Sequence, residues 1–335
     1  MLGFFKTLIY SIFPMKKILV TGATGQIGSE LVPALRKLYG SENILAAGHS
    51  RKPSKELLQA GPFCSLDVRD KESFFKVVKD NKISTIYHLA SILSAKAEEN
   101  SQLAWDVNMN GLINALEAAR QYNSSFFFPS SIGAFGPGTP PDNTPQDTIQ
   151  RPSTMYGISK ISGELLCDYY WRKYGVDTRG LRYPGLISYI TPPGGGTTDY
   201  AVEIFYEAIR EKKYTSFLNK NTQLDMMYMA DAVLAAINLM EADLTHLKHR
   251  NAFNVTAMSI TPAELALQIK KLIPDFNITY DVDPVRQFIA DSWPRHMDDS
   301  AAREEWGWKP EYDLVLMTKD MLEKLSLKLK MQVKT

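Results

Sequence analysis

The chain has 335 residues, enough for one large domain or two smaller ones, and its 38 basic and 37 acidic residues leave a formal charge of +1. Without a long basic run there is no electrostatic footprint for nucleic acid, and 44% hydrophobic with 22% charged residues is the balance of a globular protein. Cys64 and Cys167 alone make neither a disulfide framework nor a zinc-ligand spacing, which points to a reducing compartment.

Residues 1–14 (MLGFFKTLIYSIFP) are apolar, carry one charge at Lys6 and are too short to span a bilayer. They read either as an extension before the first strand or as a targeting segment, acid-poor but without the usual arginines. The targeting reading places the protein in mitochondria, the other in the cytoplasm.

Residues 16–21 (KKILVT) predict a buried parallel strand, and 26–39 a helix with Ile27, Leu31, Leu35 and Leu38 on one face. Pro33 should bend that helix or cost it a hydrogen bond. Between them stands Gly22-x-x-Gly25-x-x-Gly28. The first glycines permit a tight turn and a close backbone approach to a pyrophosphate. The third lets the helix pack on the strand, and the helix N-terminus adds positive potential. Gly22, Thr24, Gly25, Gln26, Ile27 and Gly28 are therefore candidate dinucleotide ligands.

A second strand at 43–47 runs into Gly48-His49-Ser50-Arg51, where a carboxylate would normally read the adenosine ribose and mark NAD. None stands here. Arg51 can accept a 2′-phosphate, stack on adenine or face solvent. Asp67, beside Val68 after a further short strand, can take the adenine amino group or cap the helix expected at 71–80. A strand at 84–90 ends His88-Leu89-Ala90, putting Leu89 and Ala90 at the ligand edge of the sheet. Ser91 and Ser94 beyond it can bind substrate, form a turn or cap a helix. The helix at 103–122 carries Asn108, whose amide can hold a water that links Lys160 to solvent.

The strand at 125–130 leads to Ser130-Ser131, hydroxyls that can hold a substrate oxygen or simply form a turn. The helix at 156–174 opens with Tyr156-x-x-x-Lys160, and positions i and i+4 share a face. Lys160 can then stabilise the phenolate of Tyr156, whose ordinary pKa of about 10 is too high for acid–base work at neutral pH. Alternating strands and helices predict a doubly wound parallel sheet with right-handed crossovers. Beyond Pro184, residues 191–198 (TPPGGGTT) form an irregular loop whose glycines suit a lid over a substrate, with Thr197 a candidate carboxylate ligand. Helices follow near 199–212 and 230–241, then a strand at 252–255 and a helix that starts with the Thr261-Pro262-Ala263-Glu264 capping box.

With these residues in hand, the chain from Lys16 onward resembles the extended short-chain dehydrogenase/reductase superfamily. The matching motifs are the glycine turn, His88-Leu89-Ala90, Ser130-Ser131, Tyr156-x-x-x-Lys160 and Arg182-Tyr183-Pro184-Gly185. The resemblance implies an α/β fold, a Rossmann-type doubly wound parallel sheet with a smaller C-terminal substrate-binding cap. Residues 15–184 with about 225–257 would bind NAD, and about 185–224 with 258–330 would form the cap. It implies Tyr156 as general acid/base, Lys160 as its pKa-lowering partner and ribose ligand, and Ser131 as substrate orienter. Tyr183 and Leu186 would lie beside the nicotinamide, and the helices near 103–122 and 156–174 would pair two protomers as a homodimer.

Narrower motifs, Tyr183-Pro184-Gly185-Leu186-Ile187-Ser188, the stretch 192–201, Arg286-Gln287-x-Ile289-Ala290-Asp291-Ser292-Trp293-Pro294 and Asp298-Asp299-Ser300, resemble the branch that oxidises L-threonine at its 3-hydroxyl. That branch usually has aspartate where this chain has His49. The activity implied is NAD-dependent oxidation to L-2-amino-3-oxobutanoate without a metal. The alternative is a nucleotide-sugar epimerase or dehydratase, although such relatives usually show Arg-Tyr-Phe-Asn in place of residues 182–185.

Overall fold

The structure is a computed structural model and describes residues 16–332, Gly195 apart. The segment 1–14, and with it the targeting reading, lies outside the described residues. Seven strands form one parallel sheet: β1 (Ile18–Thr21), β2 (Ile44–Gly48), β3 (Phe63–Ser65), β4 (Thr85–His88), β5 (Ser125–Ser131), β6 (Thr178–Tyr183) and β10 (Phe253–Asn254). Their order is β10-β6-β5-β4-β1-β2-β3. The fold is therefore α/β and Rossmann-type, with the strand order reversing next to β1, where such sheets bind ligands.

The sheet is parallel because helices carry each crossover and cover both faces, which is why its central strands are nearly continuous apolar runs. One face packs on helix α1 (Gly28–Tyr39), the other on α2 (Lys71–Asp80), α3 (Gly111–Tyr122) and α4 (Met155–Tyr174). Pro33 does not break α1. It lies on the exposed face, and the helix runs on to Tyr39. The helix expected at 103–122 is not uniform. A short helix, Ser101–Trp105, passes through a π-helical turn, Asp106–Asn110, before α3 begins.

A second core gathers β7 (Gly185–Ile187), helix α5 (Tyr200–Arg210), β8 (Lys213–Ser216), β9 (Leu224–Tyr228), β11 (Met258–Ile260), helix α6 (Pro262–Leu272) and β12 (Asn277–Tyr280), closed by helix α7 (Leu314–Gln332). β11, β9 and β7 make a three-stranded sheet, and β12 pairs with β8. Residues 301–308, expected with the cap, pack on the first core instead, through Ala301, Ala302 and Trp308. The capping box forms as read: Thr261 accepts from Glu264 N while the Glu264 carboxylate accepts from Thr261 N. Among the described residues no helix is long and apolar enough to cross a membrane.

The loop 191–198 is tethered at several points. The Asp199 carboxylate accepts from Gly194 N at 2.6 Å and Gly196 N at 2.7 Å, and Thr191 Oγ1 lies 3.1 Å from Ser29 Oγ at the start of α1. Its described glycines thus wrap an anion from within the chain.

Candidate active site

The turn after β1 is built for close approach. Gly22 has φ +66°, and a Cβ there would stand 2.7 Å from the Leu89 carbonyl carbon. Only glycine fits. A Cβ on Gly28 would meet Gly22 O at 2.4 Å, so glycine at both positions lets α1 press against the turn. No side chain caps the N-terminus of α1, which begins after Ile27, whereas Thr154 caps α4 and Thr261 caps α6. Uncapped first-turn amides and the helix dipole together suit a pyrophosphate. These features fit a dinucleotide. Gln26 Nε2 reaches Leu186 O at 3.5 Å, so the turn and β7 face one another, and Thr24 abuts Gly48 at the end of β2.

At the adenosine end the structure departs from the sequence reading. Asp70, not Asp67, caps α2 by accepting from Ser73 N. Asp67 receives Nε and Nη2 of Arg69, the latter at 2.6 Å, as well as Arg69 N. These bonds hold its carboxyl down at about 2 and leave it little accepting capacity for an adenine amino group. His49 Nε2 lies 3.6 Å from Asp67, and Arg51 is exposed. Val68 is buried against Gly111 and shapes the pocket only through packing and backbone.

The Ser131, Tyr156 and Lys160 side chains are brought together by β5 and α4. Thr154 caps α4 by accepting from Gly157 N, and a Cβ on Gly157 would stand 2.3 Å from Gly133 O, so glycine there lets the helix start sit on the turn after β5. That brings Tyr156 and Ser131 together at Gly133, where an added Cβ would meet the Tyr156 ring at 3.3 Å and Ser131 Oγ at 3.5 Å. Desolvation pushes the phenol up to about 12, and the neighbouring Ser131 hydroxyl works against that rise. Lys160, buried one turn on, donates to Pro129 O at 2.6 Å. Its ammonium lies 5.3 Å from the Tyr156 ring centroid and 4.9 Å from that of Phe128. Burial lowers Lys160 to about 8, opposed by the charge of Glu164. The cation thus sits under the phenol ring, not on its oxygen.

Ser130 does not join this group. Successive strand residues face opposite sides, and Ser130 Oγ donates to the buried carboxylate of Glu164. Glu164 in turn pairs with Arg182 at 2.9 Å, and Arg182 also donates to Gln146 O, Gln150 and Asn254. The sequence reading missed this network. Its signal was Glu164 at the same four-residue step that links Tyr156 to Lys160. Tyr183 is likewise corrected: its ring is buried in the first core and its hydroxyl donates to Ala232 O, so only its backbone borders the site.

Asn108 acts as a clamp. From the π-turn its Oδ1 accepts from Ile92 N and Ser91 Oγ, while its Nδ2 donates to Ile92 O and Ser159 Oγ. Every hydrogen-bonding position of the amide is used. Leu89 and Ala90 stand at the end of β4, where Ala90 N donates to Thr21 Oγ1, itself 3.1 Å from His88 Nδ1. His88, a second omission, is buried beneath Lys160 and held down at about 3 by burial and that charge. Ser91 and Ser94 border the loop after β4. Thr197 is buried in the 191–198 loop, and Thr198 packs on Gly185 at the start of β7. Among the described residues no group of three or more His, Cys, Asp or Glu side chains could hold a metal ion.

The NAD dependent epimerase/dehydratase family model matches residues 18–255. An uncharacterized epimerase/dehydratase of Staphylococcus aureus is 56% identical over 314 residues, 94% of this chain and 98% of that protein. Among solved structures, an L-threonine dehydrogenase from Clostridium difficile is 59% identical with a TM-score of 0.93, covering 94% of this chain and 99% of its own. One from Phytophthora infestans is 49% identical with a TM-score of 0.90, covering 93% and 100%.

Proposed function

The chain belongs to the NAD dependent epimerase/dehydratase family, within the extended short-chain dehydrogenases/reductases, and from that premise we propose that it oxidises the 3-hydroxyl of L-threonine, giving L-2-amino-3-oxobutanoate, with NAD as acceptor. The observation that carries the oxidation is Ser131 and Tyr156 brought together beside Gly133, with the Lys160 ammonium beneath the phenol ring. The choice of L-threonine is supported by the two dehydrogenase structures, which match the chain over almost its whole length.

The turn from Gly22 to Gly28, the backbone at Leu89 and Ala90, Lys160 and the segment at Leu186 would hold the dinucleotide. When bound, it supplies the hydride acceptor. The protein does the rest. Ser131 Oγ hydrogen-bonds the substrate hydroxyl and keeps it against Tyr156. Tyr156 Oη takes the hydroxyl proton as the carbonyl forms, and Ser131 then donates to that carbonyl oxygen. Lys160 keeps positive charge beside the phenolate, in a site where burial makes that charge count for more than in water. Asn108 anchors the backbone at Ile92, which fixes the loop bearing Ser91 and Ser94. Those serines and Thr197 are the candidates for the ammonium and carboxylate of the substrate.

The test is one assay run on two substrates. Purified protein with NAD and L-threonine should release NADH, followed by its absorbance, while UDP-sugars should remain unchanged. Conversion of a UDP-sugar with no NADH released from L-threonine would assign the chain to the epimerase side of its family.

A further inference from the structure

We infer that Glu30 is a positioning residue for the substrate: acting through Ser188, it fixes the base of the 191–198 loop to the first turn of α1. This rests on the reading of that loop as part of the L-threonine site.

Glu30 stands at the third position of α1, where an acid ordinarily folds back on its own N-cap, as Glu264 does on Thr261. Glu30 instead accepts the hydroxyl of Ser188, the residue that follows β7. A hydroxyl has one proton and two lone pairs. With its proton committed to Glu30, Ser188 Oγ presents both lone pairs to the chain ahead. It accepts from Ile190 N at 3.0 Å and from Thr191 N at 3.4 Å. Ser188 is fully buried, out of reach of the bulk water that would otherwise compete for its hydroxyl.

Neighbouring contacts put this bond at the root of the loop. Ser29 Oγ, which donates to Gln26 O at 3.0 Å, lies 3.1 Å from Thr191 Oγ1, and Gln26 Nε2 reaches Leu186 O at 3.5 Å. From the other side Lys328 of α7 donates to Tyr189 O at 3.0 Å and to Ile190 O at 2.6 Å. Residues 186–191 are thereby held between the start of the dinucleotide helix and the helix that closes the cap. Beyond them the chain folds over the Asp199 carboxylate and buries Thr197, a candidate ligand for the substrate carboxylate. Burial raises the Glu30 carboxyl, while the Ser188 hydroxyl and the charges of Lys324 and Lys328 work against that rise.

Hydrogen exchange tests the proposal without turnover. In Glu30→Ala the Ile190, Thr191 and Gly194 amides should exchange about tenfold faster than in the unaltered chain, while the later turns of α1 exchange as before. Glu30→Gln keeps an acceptor for the Ser188 hydroxyl and should restore the original rates to within about twofold. In the NADH-release assay Glu30→Ala should raise KM for L-threonine about tenfold and leave kcat within about threefold, with NADH binding unmoved. Adding Ser188→Ala to Glu30→Ala should cost little more, because both remove the same bond. Unmoved exchange in the loop, faster exchange along the whole of α1, or losses that Glu30→Gln does not restore would overturn the proposal. An unaltered chain that releases no NADH from L-threonine would instead remove the reading of the substrate, and this role for Glu30 with it.

Discussion

Two glycines in the same turn should fail in different ways. A methyl on Gly28 would sit 2.4 Å from Gly22 O and 2.6 Å from Ala23 Cα, whereas ordinary contact begins at 3.4 Å. Both obstacles are backbone, so no rotamer relieves them. In Gly28→Ala the start of α1 must therefore move about 1 Å away from β1, an overpacking cost of about 1–3 kcal/mol. The same shift carries the uncapped helix amides away from the phosphates they should hold. On Gly25 the added methyl meets Gly22 O at 3.1 Å and nothing else within 4 Å, so it projects outward. Gly25→Ala should keep the melting temperature within about a degree of the parent and still weaken NADH by about tenfold or more, because the methyl occupies the phosphate approach. Gly28→Ala should lose both stability and binding. Thermal unfolding and NADH titration on the two variants measure the two effects separately. If Gly25→Ala binds NADH like the parent, the pyrophosphate does not lie over this turn and the cradle has been misread.

Tyr156→Phe keeps the ring packing and removes the proton acceptor, so turnover should fall by about 10²–10⁴ with NADH binding intact; near-normal turnover would take Tyr156 out of the mechanism. Oxidation needs Tyr156 ionised and Lys160 charged, so its rate should rise with pH from the acid side and stop rising near 8, where Lys160 begins to lose its proton. Ser131→Ala removes the hydroxyl that works against the rise of the phenol and should lower the rate at every pH below that break, which stays with Lys160; an unchanged rate would take Ser131 out of the site. Arg182→Met leaves the Glu164 carboxylate buried without its cation and should cost about 3–5 kcal/mol in denaturant unfolding, and a loss below about 1 kcal/mol would show that Ser130 and Gln150 suffice. Leu103, Trp105, Ile113, Ile158, Leu165 and Tyr169 expose apolar surface on the helices from Ser101 to Tyr174, so sedimentation should show a dimer that Leu165→Glu converts to monomer; a monomeric parent would refute the pairing.

The sheet and the pairing of Tyr156 with Lys160 were legible because both are written in short-range spacing. A buried parallel strand needs only its own apolar run, and Tyr156 and Lys160 need only one helical turn. Ser130 and Ser131 mark where that kind of reading ends. They are adjacent, chemically identical and at the same strand edge, and the pleat sends one to the phenol and the other to Glu164. Deciding between them requires the knowledge that Arg182, on the neighbouring strand, has already filled the far side with an ion pair. The partners of Asn108 were hidden for a geometric reason. The apolar pattern of 103–122 tolerates a wide turn without losing its periodicity, yet that turn lets the amide saturate itself on Ile92, Ser91 and Ser159. The partner of Asp67 was hidden by competition, since Arg69 two residues on takes its carboxylate at 2.6 Å. In each case the sequence shows the residue and its place, and the fold adds the partner. A polar side chain is committed by whichever neighbour reaches it first, and where that neighbour comes from another strand or another turn, it is the folded chain that decides which hydroxyls and carboxylates remain for chemistry.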